Sequence, residues 1–190
     1  MTSKTPELYG LILMGGESSR MGSDKSLLML NGKPQFQHLY DLLSSICDKV
    51  FLSCNSKQAN QLPKEYHKIV DSEEFKGPIT GIKGAFKYKK TNWLLVPIDM
   101  PFLSKEVLNN LKSQINRDED VVCTQSADGH LNPLLALYKK ACFDHLINYQ
   151  GDSPRKFIND LPYYNLIISD KENININTKE ELSVYRIDQG

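Results

Sequence analysis

An α/β fold is predicted, a mostly parallel sheet with helices on both faces, and three observations predict it. Apolar runs alternate along the chain with stretches of helical character. Residues 93–98, WLLVPI, are apolar throughout, as a strand covered on both faces should be. The chain has 190 residues, 40% of them hydrophobic, which suits one domain over 1–190 with a sizeable core.

The elements follow in order. Residues 8–13 read as the first strand, and 34–47 as a helix with Pro34 suited to its first turn. Short strands are expected at 50–54 and 68–71, a helix at 79–88, and the covered strand at 93–98. Ser104 can cap a helix running to about Ile115. Strands at 120–125 and 134–138 precede a helix at 139–149 that Gly151 ends. A short helix at 155–160 and a strand at 164–168 follow, and Thr178 with Glu181 forms a capping box for a last helix. No internal repeat or low-complexity linker interrupts the pattern.

Composition excludes several function classes. Lys and Arg total 23, as do Asp and Glu, so no basic footprint for nucleic acid exists. Mean hydropathy is −0.42, and no apolar run is long enough to cross a bilayer. Residues 1–10 lack the apolar stretch of a secretory signal, so a cytoplasmic protein is expected. Cys47, Cys54, Cys123 and Cys142 form no C-x-x-C pair and are expected to be reduced core thiols. His38, His67, His130 and His145 are scattered, which disfavours a histidine metal site or a Cys-His nucleophile.

In α/β sheets ligands sit beyond the carboxyl ends of the strands. The polar groups following the predicted strands are the 15–25 loop, Asn55, Asp71 and Asp99, and all should share one sheet edge. The loop lies within LILMGGESSRMGSDKSLL, residues 11–28. Its glycines suit a phosphate cradle, since backbone N–H groups reach an anion where no Cβ intrudes. The dinucleotide fingerprint fails, because Gly15 and Gly16 are adjacent and the next glycine is Gly22. The P-loop fails too: Asp24 precedes Lys25, and Ser19 stands where its first glycine belongs. Arg20 and Lys25 on such a loop suit a triphosphate, with a solvated surface loop as the plain alternative.

Asp99 ends an apolar strand, where a carboxylate is costly unless paired. Mg²⁺ is a natural partner, since it takes one or two carboxylates plus phosphate oxygens. Capping the next helix, or pairing with a lysine, are the alternatives. Asn175 or Asn177 can supply a second oxygen ligand or hold an acceptor phosphate, and turn chemistry explains both equally well.

The stretch LMGGESSRMGSDKSLL resembles the L-A-G-G-x-S-x-R-M-G-x-D-K-x-L-L opening of the molybdenum cofactor guanylyltransferases and their nucleotidyltransferase relatives. NGKP at 31–34, VDSEEFKGPITGI at 70–82, WLLVPIDMPFL at 93–103, NPLLALY at 132–138 and NINTKEEL at 175–182 resemble further family segments in order. Among the positions that depart are Met14 for alanine, Asn132 for histidine before the proline, and Lys179 for proline.

The resemblance implies a Rossmann-like nucleotidyltransferase sheet. It implies transfer of GMP from GTP to the molybdenum-molybdopterin cofactor with release of pyrophosphate, assisted by Mg²⁺. Arg20, Lys25 and Asp99 would be catalytic. Leu13, Met14, Gly15, Gly16, Lys25, Asn55, Asp71, Gly77, Pro78, Gly81 and Asp99 would line the nucleotide. The backbone at Met14 lies beside the base in the family, so its side chain points away or narrows the pocket. A family asparagine after the second strand corresponds most closely to Ser53, with Asn55 two residues on. Arg155 and Lys156 match a basic pair that would hold the acceptor's phosphate, although a solvated helix face explains them as cheaply. Asp71 can accept guanine's N1–H and amino group, with a turn involving Ser72 as the bland alternative. Gly77 and Gly81 leave room for a purine against the backbone, and Pro78 stiffens the turn. Cofactor-insertion chaperones and molybdoenzymes would be the downstream partners. A cytidylyl- or sugar-nucleotidyltransferase is an alternative within the enzyme class. A non-catalytic GTP-binding module is another, and Arg20, Lys25 and Asp99 together argue against it.

Overall fold

The computed structural model describes residues 6–14, 29–30, 32–72, 77–169, 171–172 and 174–176. The sheet is built from β1 (Leu8–Leu13), β4 (Lys49–Cys54), β5 (Lys68–Val70), β6 (Asn92–Pro97), β7 (Val121–Gln125), β8 (Leu131–Tyr138) and β9 (Tyr163–Ile167). Its seven strands lie in the order β5-β4-β1-β6-β8-β7-β9. All neighbouring pairs are parallel except the two made by β8, which runs against β6 and β7. Two further short strands, β2 (Met29–Leu30) and β3 (Lys33–Pro34), pair antiparallel beside Gly32, whose φ is +80°.

Helices cover both faces, as the alternation of apolar runs predicts. On one face lie α1 (Gln35–Ser44) and α4 (Lys105–Ser113), where Leu39, Leu43, Val107 and Leu108 meet Leu8, Ile12, Leu52, Leu94 and Val96. On the other lie α3 (Pro78–Tyr88), α5 (Phe143–Asn148) and α6 (Pro154–Asn159), where Ile82, Phe86, Leu146 and Phe157 meet Tyr9, Leu11, Leu13, Trp93 and Leu95. Successive residues of β1 therefore enter opposite cores, which is why a strand with period-two geometry reads as one continuous apolar run. Ser104 caps α4 through Val107 N–H, as its position predicts. Cys54, Cys123 and Cys142 are buried, and burial pushes the Cys47, Cys123 and Cys142 thiols up to about 12.

Three elements differ from the sequence expectation. Helix α2 (Ser56–Gln61) was not anticipated, because SKQANQ has no apolar stripe. The helix expected over 139–149 splits into a 3₁₀ turn (Lys140–Cys142) and α5, leaving Lys139 extended as the N-cap of the turn. Strand β8 begins three residues before its expected start, and its pairing with β7 slips between Cys123 and Thr124. Asn132 explains the slip: its Oδ1 accepts from Leu134 and Leu135 N–H, beside Pro133, which has no N–H to give the ladder. The expected last helix lies outside the described residues.

Candidate functional site

The ladder itself assembles one sheet edge. Leu13 stands opposite Ser53 on one side and Pro97 on the other, and Ser53 stands opposite Ile69. Backbone bonds extend this register past the strand ends: Met14 N–H to Ser53 O, Asp71 N–H to Cys54 O, and Ile98 N–H to Leu13 O. Parallel strands in register thus bring Leu13, Met14, Asn55, Asp71 and Asp99 to their shared carboxyl edge, as expected for a ligand site. A further bond, from Ile176 N–H to Asp99 O at 2.7 Å, carries the segment containing Asn175 to the same edge.

Asp71 is half-buried, and its Oδ1 accepts from Ser53 Oγ at 2.6 Å. Burial raises the Asp71 carboxyl above its ordinary value, and the Ser53 bond opposes that rise. Over this pair lies the first turn of α3. Gly77 is its N-cap, with φ +73°, and Pro78 follows at the first helical position. A Cβ on Gly81 would overlap Ser53 Oγ and lie 3.0 Å from Leu13 Cδ2, so only glycine lets α3 sit this close to β1 and β4. Leu13, Ser53 and Gly81 are therefore packed against one another, so the room for a purine expected at Gly81 is taken up by Ser53 and Leu13, and the half-buried Asp71 carboxylate stands at the edge of this packing. Such a carboxylate suits a planar group that presents adjacent N–H donors. Ser53 is the member that the sequence did not single out for this role. A serine opposite Ile69, two residues before a strand-ending aspartate, was the available signal, and it needs the register to be read.

The Met14 side chain answers the question its size raises. It is buried in the core on the α1–α4 face, away from α3. Asn55 is exposed and caps α2: its Oδ1 accepts from Gln58 N–H at 2.9 Å while Gln58 Oε1 accepts from Asn55 N–H at 3.1 Å. That reciprocal pair commits the Asn55 oxygen and leaves the Nδ2 group for any further contact.

Asp99 is partly buried, with Oδ1 shielded from solvent. Among the described residues no group of three or more His, Cys, Asp or Glu side chains could hold a metal. A hard, all-oxygen set of one carboxylate plus amide and phosphate oxygens still fits Mg²⁺, which retains water and needs few protein ligands. Asn175 is exposed beside Asp99. Arg155 and Lys156 are exposed in the first turn of α6, which Ser153 caps through Lys156 N–H. The loop leading into α6 passes the start of α3: Asp152 O lies 3.9 Å from where a Cβ on Gly77 would stand. Gly15, Gly16, Arg20, Lys25 and Asn177 lie outside the described residues. Among the described residues no helix is long and apolar enough to cross a membrane.

Comparison with known proteins gives a consistent pattern. The family model for the MobA-like NTP transferase domain matches residues 10–163. The chain is 31% identical over 195 residues to a molybdenum cofactor guanylyltransferase of Pseudomonas fluorescens, covering 97% of this chain and 98% of that one. It is 39% identical over 150 residues to a molybdenum cofactor biosynthesis bifunctional protein of Synechocystis sp.. That match covers 73% of this chain and 43% of the relative, so the chain spans less than half of that protein. Among solved structures, molybdopterin-guanine dinucleotide biosynthesis protein A from Archaeoglobus fulgidus aligns with a TM-score of 0.79 at 24% identity. The alignment covers 96% of this chain and 100% of that one, and at this identity it establishes the fold alone.

Proposed function

The chain belongs to the MobA-like NTP transferase family and is a nucleotidyltransferase, and from that premise we propose that residues 1–190 form one catalytic domain that transfers GMP from GTP to the molybdenum-molybdopterin cofactor. In this reading a terminal phosphate oxygen of molybdopterin attacks the α-phosphorus of GTP. A new P–O bond forms, the bond to the bridging oxygen of the β-phosphate breaks, and pyrophosphate leaves with that electron pair. No protein nucleophile is required, so the chain's contribution is positioning and charge neutralisation.

The observation that carries the guanine assignment is the Asp71 carboxylate. It is half-buried, and Ser53, itself packed against Gly81 of α3, holds its Oδ1. Guanine's N1–H and amino group give such a carboxylate two adjacent donors. Cytosine lacks that arrangement and would leave the acceptor unpaired, at a penalty of roughly 1–3 kcal/mol. The backbones of Leu13, Met14, Gly15 and Gly16, with Gly77 and Pro78, would flank the nucleoside, and Asn55 Nδ2 remains for a further contact. Arg20 and Lys25 would neutralise the triphosphate. Asp99, with an oxygen from Asn175 or Asn177, would hold Mg²⁺, which when bound offsets negative charge on phosphate oxygens. Arg155 and Lys156 would receive the acceptor's phosphate. The dinucleotide product would pass to insertion chaperones and molybdoenzymes, in keeping with a cytoplasmic location.

The test is competition of GTP, CTP and ATP in one reaction with molybdopterin and Mg²⁺, scored by pyrophosphate release and by the base incorporated. Guanylate should dominate. Equal incorporation of cytidylate would overturn the guanine assignment and leave nucleotidyl transfer standing. Absence of pyrophosphate release with every nucleotide would overturn the whole reading.

A further inference from the structure

Helix α3 contains a lysine where its neighbours predict an apolar residue. Lys83 lies between Ile82 and Gly84 and is only 2% exposed. A buried ammonium is unfavourable without hydrogen-bond acceptors. One acceptor is the carbonyl of Tyr149, the residue that terminates α5. Lysine at this place also complements the negative end of α5.

Tyr149 begins a five-residue strap, 149–153, that joins α5 to α6, and the strap is closed on itself. The Tyr149 hydroxyl donates to Ser153 O at 3.1 Å. Its ring packs on Phe157 of α6 with centroids 5.3 Å apart. A Cβ on Gly151 would overlap the Tyr149 hydroxyl, so the chain can wind round the ring only with glycine there. Ser153 then caps α6, whose first turn carries Arg155 and Lys156. The strap also passes the start of α3, where Asp152 O lies 3.9 Å from where a Cβ on Gly77 would stand. A continuous set of contacts thus runs from Lys83 through Tyr149 and Ser153 to the backbone of Lys156.

We propose that Lys83 is a positioning residue: by bonding Tyr149 O it clamps the strap against α3 and so fixes where α6 presents Arg155 and Lys156 to a phosphate of the second substrate. The proposal deepens the nucleotidyl-transfer reading and rests on it for the identity of that substrate. The geometry separates the two substrates. Ser53, which holds Asp71, packs against Gly81, whereas Lys83 bonds the carbonyl that ends α5, and neither bond to be removed involves Asp152, where the strap passes Gly77. Releasing the strap should therefore disturb the acceptor's binding and spare the nucleotide's.

The experiment uses the full chain and two variants that loosen the strap at different points. Lys83→Met keeps the apolar stem and removes the donor. Tyr149→Phe keeps the ring and removes the bond to Ser153. Steady-state kinetics with GTP, Mg²⁺ and molybdopterin give separate KM values, and amide hydrogen exchange reads the strap directly. Each variant should raise KM for molybdopterin about threefold to tenfold, the size of coupling carried by a contact outside the binding surface. KM for GTP should stay within about twofold, and amides of 150–156 should exchange at least about tenfold faster while those of 82–88 hold. Equal increases in both KM values, or unchanged exchange at 150–156, would overturn the proposal. Should Lys83→Met fail to fold, Tyr149→Phe decides by the same readouts. A wild-type chain that released no pyrophosphate would refute nucleotidyl transfer and the acceptor role together, and the exchange rates would then decide the clamp by themselves.

Discussion

Ser53 Oγ donates to Asp71 Oδ1 over 2.6 Å, linking the ends of two neighbouring parallel strands directly under Gly81 of α3. A hydroxyl that donates to one carboxylate oxygen fixes the rotation of the whole group. It leaves Oδ2, and the second lone pair of Oδ1, as acceptors with a set direction. Ser53→Ala should therefore lower kcat/KM for GTP by about tenfold, as expected for loss of one hydrogen bond to a charged group. Steady-state rates with GTP and CTP check this. A variant that loses the same factor with both nucleotides would show that Ser53 does not act through base recognition.

Gly81→Ala tests the same contact by crowding it. The added methyl would overlap Ser53 Oγ and press on Leu13 Cδ2, so either α3 lifts or Ser53 turns away from Asp71. Overpacking of this kind destabilises by about 1–3 kcal/mol. Urea denaturation should show a lowered midpoint, and GTP affinity should fall with it. Unchanged GTP affinity alongside a lowered midpoint would separate this packing from nucleotide binding.

Asp71 also makes a pH prediction. Burial raises its carboxyl above 3.8, with Ser53 working in the opposite direction. A raised folded-state value means the fold favours the protonated form. The associated stability is fully present below the unfolded value and is lost as pH rises through the folded value, so ionised Asp71 is a liability at neutral pH. Asp71→Asn should be more stable relative to the parent at pH 7 than at pH 4, while its preference for GTP over CTP collapses. Denaturation midpoints at the two pH values provide the check. A stability difference that is the same at both would mean that Asp71 titrates as an exposed acid.

How much of this was legible in the sequence depends on the range of the interactions. β1 and β6 were readable because each is buried on both faces, and a continuous apolar run carries that information locally. The α4 boundary was readable because Ser104 makes its cap within three residues. The shared edge of Asp71 and Asp99 was readable from strand ends in an α/β pattern. Helix α2 was missed because its six residues, polar but for Ala59, lack periodicity, although Asn55 and Gln58 spell its capping box. Ser53 read as a missing asparagine, because its partner lies 18 residues away and only the parallel register brings them together. The role of Lys83 was not legible in the helix expected at 79–88, because its partner Tyr149 is 66 residues distant. The slip in β8 depends on Asn132 bonding the backbone of Leu134 and Leu135, a choice that Asn132 makes only beside Pro133 in a ladder.

Asp99 gives the last prediction. It follows the β6 strand, its Oδ1 is shielded from solvent, and its carbonyl accepts from Ile176 N–H at 2.7 Å. The backbone is thus held by β6 on one side and by the returning chain on the other. Asp99→Asn keeps the shape and removes the charge. If the carboxylate holds Mg²⁺ beside the triphosphate, the variant should lose at least about a hundredfold in kcat, the scale for removing a preorganised group that offsets transition-state charge. Its apparent Mg²⁺ requirement should also move to higher concentration, because the protein's charged ligand is gone while the phosphate oxygens remain. The unfolding midpoint should stay close to that of the parent, since the backbone bond to Ile176 does not use the carboxylate. A Mg²⁺ titration of both proteins is the direct measurement. Superimposable titrations with equal plateau rates would remove Asp99 from metal binding.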